Sequence, residues 1–552
     1  MNPPTGSFGP RSVAWIGWLI IGLGLLAVGW LLPVNMKSLN PALLREAGRD
    51  TPSVAVFSRQ LLELDELGPA VLVQQAAKDA GDPGADALGA IIEDFTQRHR
   101  DMVPWGGWDV ALEPLLANRN AASPAESTPV LRFMVTEQAR ENLRQYLSVS
   151  RLPGVQTLLK TADVGTQRFV SARRAGGQPL DAVILLTAYL WQTEHLAPTL
   201  QREVRELAET AVAVGRLGSL EDFYLDILTL GKRLNWVQLS ELLRTATNTS
   251  TVAQFAHLTR VAPEHLPVIY TATLMTKSAD AVARYLIAFG KPGAEDLRQA
   301  LAFKQGAVEQ LVQRQVPITN RGGLEFEMGA AFALRHPELA LLSKYAAFLG
   351  GIFLLLRALD LKMFAAIESA LPGAFPRMGS GLLAAILTFI FFVFSEPFLL
   401  KAAASTDYQV KLLIPILGQT ASPAVHSSTA TTTMETSTLV SIIVFASLQL
   451  CMYFVCLMRI TDVDRLKFPA PVKLELMANE ENLFDGGLYI GIAGTATALV
   501  LQVLGVIEAN LLAAYSSNLF GIVCVALVKI RHVRPYKRKL ILEAQQGTAL
   551  KA

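Results

Sequence analysis

Two hydrophobic patterns divide this 552-residue chain. The first is a continuous apolar run of about 20 residues, the length at which a helix crosses the hydrocarbon layer of a bilayer. Such runs occupy 13–32, 341–359, 381–400, 437–457, 488–507 and 511–530. Lipid offers no partners to backbone N–H and C=O groups, so these runs predict helices. Their hydrophobicity does not alternate, which excludes a transmembrane barrel. Trp15, Trp18 and Trp30 stand near the ends of the first run, where amphipathic rings favour the interface. A signal peptide would have an apolar region of about 7–15 residues and then a small-residue cleavage site. The run from Val13 to Leu32 is longer and leads into Pro33-Val34-Asn35-Met36-Lys37, so it reads as an uncleaved anchor. Lys344 and Arg357 lie near the two ends of the second run, from which long cationic side chains can snorkel to the headgroups. Glu508-Ala509-Asn510 joins the last two runs and predicts a tight antiparallel hairpin.

The second pattern is amphipathic and fills 33–340. Leu200, Val204, Leu207, Ala211 and Val214 recur at helical spacing on one face, with Thr199 as a candidate cap and Gly215 as a stop. Ser219-Leu220-Glu221-Asp222 reads as a capping box. Thr51-Pro52 opens a helix that Gly68-Pro69 breaks, and Gly81-Asp82-Pro83-Gly84 is a turn. From Asn235 onward the helices become short and regular. Asn235 precedes Trp236, Leu239, Leu242 and Leu243; Ser250 precedes Val252, Phe255, Leu258 and Val261; Ser278 precedes Val282, Tyr285, Leu286 and Phe289. Gly290-Lys291-Pro292-Gly293 stops that helix, and one more carries Leu297, Leu301, Val308 and Leu311. The predicted fold is therefore all-α: a polytopic helical membrane protein with a large helical domain, either solenoid-like or an irregular bundle.

Charge adds orientation. The tail after the last run, 531–552, begins Arg531-His532-Val533-Arg534-Pro535-Tyr536-Lys537-Arg538-Lys539, and short basic segments stay cytoplasmic. Counting back through the spans puts the loop 458–484, with Arg459, Arg465, Lys467 and Lys473, on the same side. The Ser/Thr-rich loop 401–436 falls outside, as does the domain 33–340, and the N-terminal residues 1–12 fall inside. Lys37, Arg45 and Arg49 follow the first span on the outer side, which long domains tolerate. The expected location is a cell (inner) membrane with both termini cytoplasmic. Net charge is +2, so no basic field argues for nucleic acid. Cys451, Cys456 and Cys524 all lie in apolar runs, which excludes a disulfide framework in the domain.

The chemistry-bearing residues are sparse. His99, His195, His257, His265, His336, His426 and His532 are scattered without metal-ligand spacing, and neither a phosphate-binding glycine loop nor a nucleophile elbow is present. No catalytic, cofactor or metal residue is expected. Trp105-Gly106-Gly107-Trp108 reads first as a loop whose tryptophans plug the core, and second as a stacking platform for a ligand. Asn248-Thr249-Ser250 fits a glycosylation sequon, although helix capping accounts for Ser250. The membrane half holds better candidates, because an ionisable or strongly polar group is costly there. Glu396 lies beside Pro397 near the outer end of its run; Glu508 lies in the outer turn; Gln502 and Asn518 are deeper. Gly487, Gly491, Gly494, Thr495 and Ala498 form a small-residue face that permits close helix approach. That face predicts packing within the chain, a homo-oligomer contact through the fifth span, or a pore wall.

Gly494-Thr495 in an outward-going span, Asn518-Leu519-Phe520-Gly521 in the returning span and the basic tail together resemble the proton-channel family of flagellar stators, TolQ and ExbB. The resemblance implies that Thr495 and Asn518 line an ion path beside a partner subunit's carboxylate. Asn518 stands where that family usually has Thr, and the 458–484 loop is much shorter than the family's. Two functions are therefore expected. One is a non-enzymatic scaffold, anchored in the lipid bilayer, whose external domain binds an envelope protein. The other is an ion channel or motor subunit built on the last three spans.

Overall fold

The computed structural model describes residues 11–112, 126–319, 327–364, 436–503 and 511–549, with 384–385, 387–388, 391–392, 396 and 408. Every extended element among them is helical, with isolated bridges besides, such as that between Gly165 and Arg216. These residues form two compact units, one within Pro41–Asn320 and one built from the apolar segments.

Fifteen residues of one helix show how the first unit, within Pro41–Asn320, is organised. Its helices are α2 (Pro41–Gly48), α3 (Val54–Glu63), α4 (Leu67–Ala80), α5 (Ala85–Arg98), α6 (Glu137–Ser148), α7 (Pro153–Lys160) and α8 (Gln178–Gln192). There follow α9 (Pro198–Val214), α10 (Ser219–Gly231), α11 (Trp236–Thr245), α12 (Thr249–Val261), α13 (Leu266–Thr276), α14 (Ala279–Ala302) and α15 (Gln305–Arg314). Helix α8 is buried from Leu180 to Trp191, on every face. A helix apolar all round is a core helix rather than a surface one, and α6, α7 and α10 pack around it. A stripe search for amphipathic helices passes over α8 for that reason.

The N-terminal helices of this unit return to its C-terminal ones. Helix α2 packs on α15, and α4 packs on α13 and α14. Gly48 touches the chain at Phe303 so closely that a Cβ there would collide with the Phe303 carbonyl, while Gln305 N donates to Pro52 O at 3.2 Å. In a solenoid each repeat meets only its neighbours. The closure between α2 and α15 makes this unit an irregular bundle.

Several expected caps move. Ser53, not Thr51, caps α3 by accepting from Val56 N, and Gly68 and Pro69 lie inside the first turn of α4. Pro198 opens α9 after Ala197, so Thr199 is already helical. Gly215 ends that helix with φ 74°, as its position predicts, and Leu200, Val204, Ala208 and Ala211 form its buried face. Val214 is left exposed in the last turn. Asn235 and Gln238 make a full capping box, and Ser278 caps α14. Asn248 replaces Ser250 as the cap of α12, so its side chain is engaged in the fold. Gly290, at φ 59° and ψ −138°, breaks α14 into two halves. Leu297 and Leu301 belong to the second half, whereas Val308 and Leu311 sit on α15. Of the two tryptophans around Gly106-Gly107, Trp105 is 1% exposed and stacks on Phe133 at 3.7 Å, whereas Trp108 is 45% exposed. One tryptophan of that loop, not both, plugs the core.

The second unit contains α1 (Arg11–Leu31), α16 (Glu327–Arg335), α17 (Pro337–Phe364), α18 (Thr436–Arg465), α19 (Ala470–Asn479), α20 (Gly486–Val503), α21 (Leu511–Ala526) and α22 (Arg534–Ala549). Among the described residues, three stretches are long and apolar enough to cross a membrane: Pro337–Leu359, Phe445–Arg465 and Ser516–Gln545. Trp15–Leu31 is a shorter apolar helix. Most of the expected run 381–400 lies outside the described residues, as do the hairpin turn at Glu508 and most of the loop 401–436. The last run does not stop at 530, because α21 passes through a π-helical segment, Leu527–Val533, directly into α22. The expected basic tail is therefore helical as far as Ala549, and α22 packs on α19 of the 458–484 loop.

Helix α1 packs along α17 through glycine. A Cβ on Gly22 would lie 3.0 Å from the Gly351 carbonyl, and one on Gly29 would lie 2.9 Å from the Phe348 ring. Small residues let two backbones approach where lipid supplies no hydrophobic drive for association.

Candidate functional site

The glycine face of α20 meets α21 and α18. A Cβ on Gly491 would come within 3.0 Å of the Ser517 carbonyl, one on Gly521 within 2.6 Å of the Gly487 carbonyl, and one on Gly487 within 3.1 Å of Gln449 Oε1. A Cβ on Gly494 would collide with Ser517 Oγ. The polar side chains of the three helices gather on this seam. Thr495 Oγ1 donates to the Gly491 carbonyl, one turn back on its own helix, at 3.0 Å, and Ser517 Oγ donates to the same carbonyl at 3.2 Å. Gln449, 4% exposed, donates through Nε2 to the Gly487 carbonyl at 2.9 Å. Cys524 Sγ donates to the Gln449 carbonyl at 3.5 Å. Gln449 Oε1 and Asn518 Oδ1 are buried without hydrogen-bond partners among the described residues. Five of the expected residues, Thr495, Asn518, Gly487, Gly491 and Gly494, therefore come together. Gln449 and Ser517 join them; both were readable as polar residues inside apolar runs, but their helix faces were not.

Glu396 belongs to a different cluster. It is 4% exposed and accepts from Met36 N at 2.7 Å and from the Tyr345 hydroxyl. Lys344 is also buried rather than snorkelled, because α17 starts at Pro337 and Lys344 lies two turns inside it. Its Nζ donates to the Val34 carbonyl at 2.5 Å and to Asn35 Oδ1 at 3.0 Å. The end of α1, the start of α17 and the residue Glu396 thus meet at one level. Each buried charge is met by hydrogen-bonding groups of the chain, the condition under which a buried charge is tolerated.

The π segment and the short connections carry a third polar group. Lys529 pairs with Asp485 at 2.7 Å, Arg459 with Glu480 at 2.7 Å, and the Tyr453 hydroxyl lies 2.8 Å from His532 Nε2. These contacts bring the ends of α18 and α21 to the start of α20.

In the bundle within Pro41–Asn320, His195 is buried against an acidic partner. His195 Nε2 lies 2.6 Å from Asp109 Oδ2, and Trp236 Nε1 donates to the same oxygen at 2.8 Å. Burial pushes the Asp109 carboxyl up, but the neighbouring His195 ring, the Ala111 N–H and the Trp236 indole N–H outweigh it and hold the group at about 2. Arg244 Nη2 approaches His195 Nδ1 at 2.7 Å. A guanidinium can only donate, so Nδ1 accepts. The Nδ1 lone pair that a general base needs is therefore taken. His195 stands among scattered histidines in the sequence because its partners are 49 and 86 residues away. Among the described residues no three His, Cys, Asp or Glu side chains are arranged to hold a metal ion.

Comparison with protein-family models, curated proteins and solved structures finds no match.

Proposed function

We propose that the chain is a multi-pass protein of a cell membrane whose helical domain, outside the cytoplasm, binds or scaffolds a protein partner of the envelope. The membrane part rests on apolar faces left uncovered. Ile20, Ile21, Leu23 and Val28 on α1 are exposed, as are Ile492 and Leu499 on α20 and Leu519, Ile522 and Val523 on α21. Apolar surface of that extent calls for lipid or a partner. The orientation rests on charge: α22, with Arg534, Lys537, Arg538 and Lys539, packs beside the basic 458–484 connection, and short basic segments stay inside.

The observation that carries the anchor reading is the closed seam between α20, α21 and α18. Thr495 is bonded to its own helix, and Gly487, Gly491 and Gly494 are filled by neighbouring backbone and side chains. The small-residue face is used within the chain, so an oligomer contact through the fifth span would use the opposite face, around Tyr489 and Ile492. A second reading has one observation in its favour. Gln449 Oε1 and Asn518 Oδ1 are acceptors without donors among the described residues, and a water or proton path would supply them. This is the ion-channel reading that the resemblance to stators, TolQ and ExbB implies.

Photocrosslinking in whole cells separates the two. A crosslinker placed at exposed Ser219 should give a protein adduct that survives Thr495→Ala with Asn518→Ala. Adducts confined to Ile492 and lost with Asn518→Ala would reject the scaffold in favour of the channel.

A further inference from the structure

We infer that a cleft between α6, α7 and α8 is a binding site for a small organic or inorganic anion bearing a carboxylate or phosphate group. The cleft has a volume of about 560 Å³, inside the usual range of small-molecule sites of about 300–1,000 Å³. Arg140 and Arg144 stand one turn apart on α6, and both reach Asp181 on α8. Two guanidinium groups therefore share one buried carboxylate. Arg140, itself 6% exposed, bonds through Nε to Asp181 at 3.0 Å and through Nη1 to the carbonyls of Met134 and Val135 at 3.0 and 2.7 Å. Its Nη2 makes no hydrogen bond among the described residues, and Arg140 lines the cleft.

Residues 172–175 also line the cleft and bring Arg173 and Arg174 to it. Arg173 is committed to Asp163. Arg174 is exposed and makes no ion pair among the described residues. Acidic groups also line the cleft. Glu141 answers Arg144, and Glu137 lies in the first turn of α6, where the helix's own N–H groups stabilise a negative charge. With Asp181 shared by Arg140 and Arg144, and Glu141 also on Arg144, Arg174 is the cation of the cleft that has no ion pair among the described residues. A planar guanidinium donates two parallel hydrogen bonds to a carboxylate or phosphate, so Arg174 selects an anion with paired oxygens, and the remaining Nη2 of Arg140 can donate to one further oxygen. The enclosing elements are three helices and a four-residue strip, which suits a small molecule.

The test uses the purified full-length chain in detergent, with inorganic phosphate or citrate titrated against chloride at matched ionic strength. The readout is the midpoint of thermal unfolding. One of the two anions should raise it saturably, and which one does identifies phosphate or polycarboxylate chemistry. Arg174→Ala should weaken half-saturation at least about tenfold, the loss of one charged hydrogen bond. Arg132→Ala, which removes the same charge from an exposed site outside the cleft, should leave half-saturation unchanged. Arg174 is exposed and makes no ion pair among the described residues, so Arg174→Ala in chloride should unfold at the parent temperature. No shift beyond chloride, or equal half-saturation in Arg174→Ala and parent, would overturn the site.

Discussion

Glu221 has a larger structural role than its place in an apparent capping box suggests. It is buried, and its two oxygens accept the backbone N–H groups of Gln167, Arg168 and Phe169 at 2.6 to 3.1 Å. Gly218 takes the N-cap position of α10 instead. Glu221→Ala strands three backbone donors, each costing about 1–3 kcal/mol if left unpaired. The expected loss in unfolding free energy is about 3 kcal/mol or more, read by chemical denaturation. Glu66 supplies a pH dependence of opposite origin. Burial pushes its carboxyl up to about 7, and the charge of Glu241 adds to this while Arg244 opposes it. The folded state then holds a proton that the unfolded state releases near 4.5. Its contribution is fully present below 4.5 and is lost as pH rises through about 7. Glu66→Gln should flatten stability across that window, and a parent-like slope in the variant would show that other groups set it.

At the scale of elements, glycine decides how α20 and α21 meet. Gly521→Val would drive a side chain into the Gly487 carbonyl, 2.6 Å from the Cβ position. Ile522→Val alters an exposed side chain on the same helix. Thermal unfolding in detergent should show a clear loss for the first and less than about 0.5 kcal/mol for the second, the usual range for surface changes. Helix positions were mostly legible in the chain, because apolar period and length carry them. Exact starts were less so, as Thr51, Thr199 and Ser250 each gave way to a neighbour with better geometry. The candidate seam was half legible. Gly494-Thr495 and Asn518 stand out in apolar runs, but the identity of the third helix, and hence Gln449, depends on tertiary packing. The burial of Lys344 was illegible for the same reason, since its acceptors are Val34 and Asn35, some 310 residues earlier.

At the scale of the molecule, the unit within Pro41–Asn320 is a closed helical bundle, and the apolar helices gather in the other unit. Solenoid and bundle share a local grammar of short capped helices, so the sequence pattern could not separate them. The return of α2 onto α15 does. The central functional claim is that this bundle is held outside the cytoplasm by the membrane spans. Ser219 is exposed on it, whereas the native Cys451, Cys456 and Cys524 belong to the apolar helices. Labelling Ser219→Cys in intact cells with a membrane-impermeant maleimide, against the parent chain as background, tests the claim most directly. The account predicts labelling before the membrane is opened; labelling that appears only after permeabilisation would place the domain in the cytoplasm and contradict it.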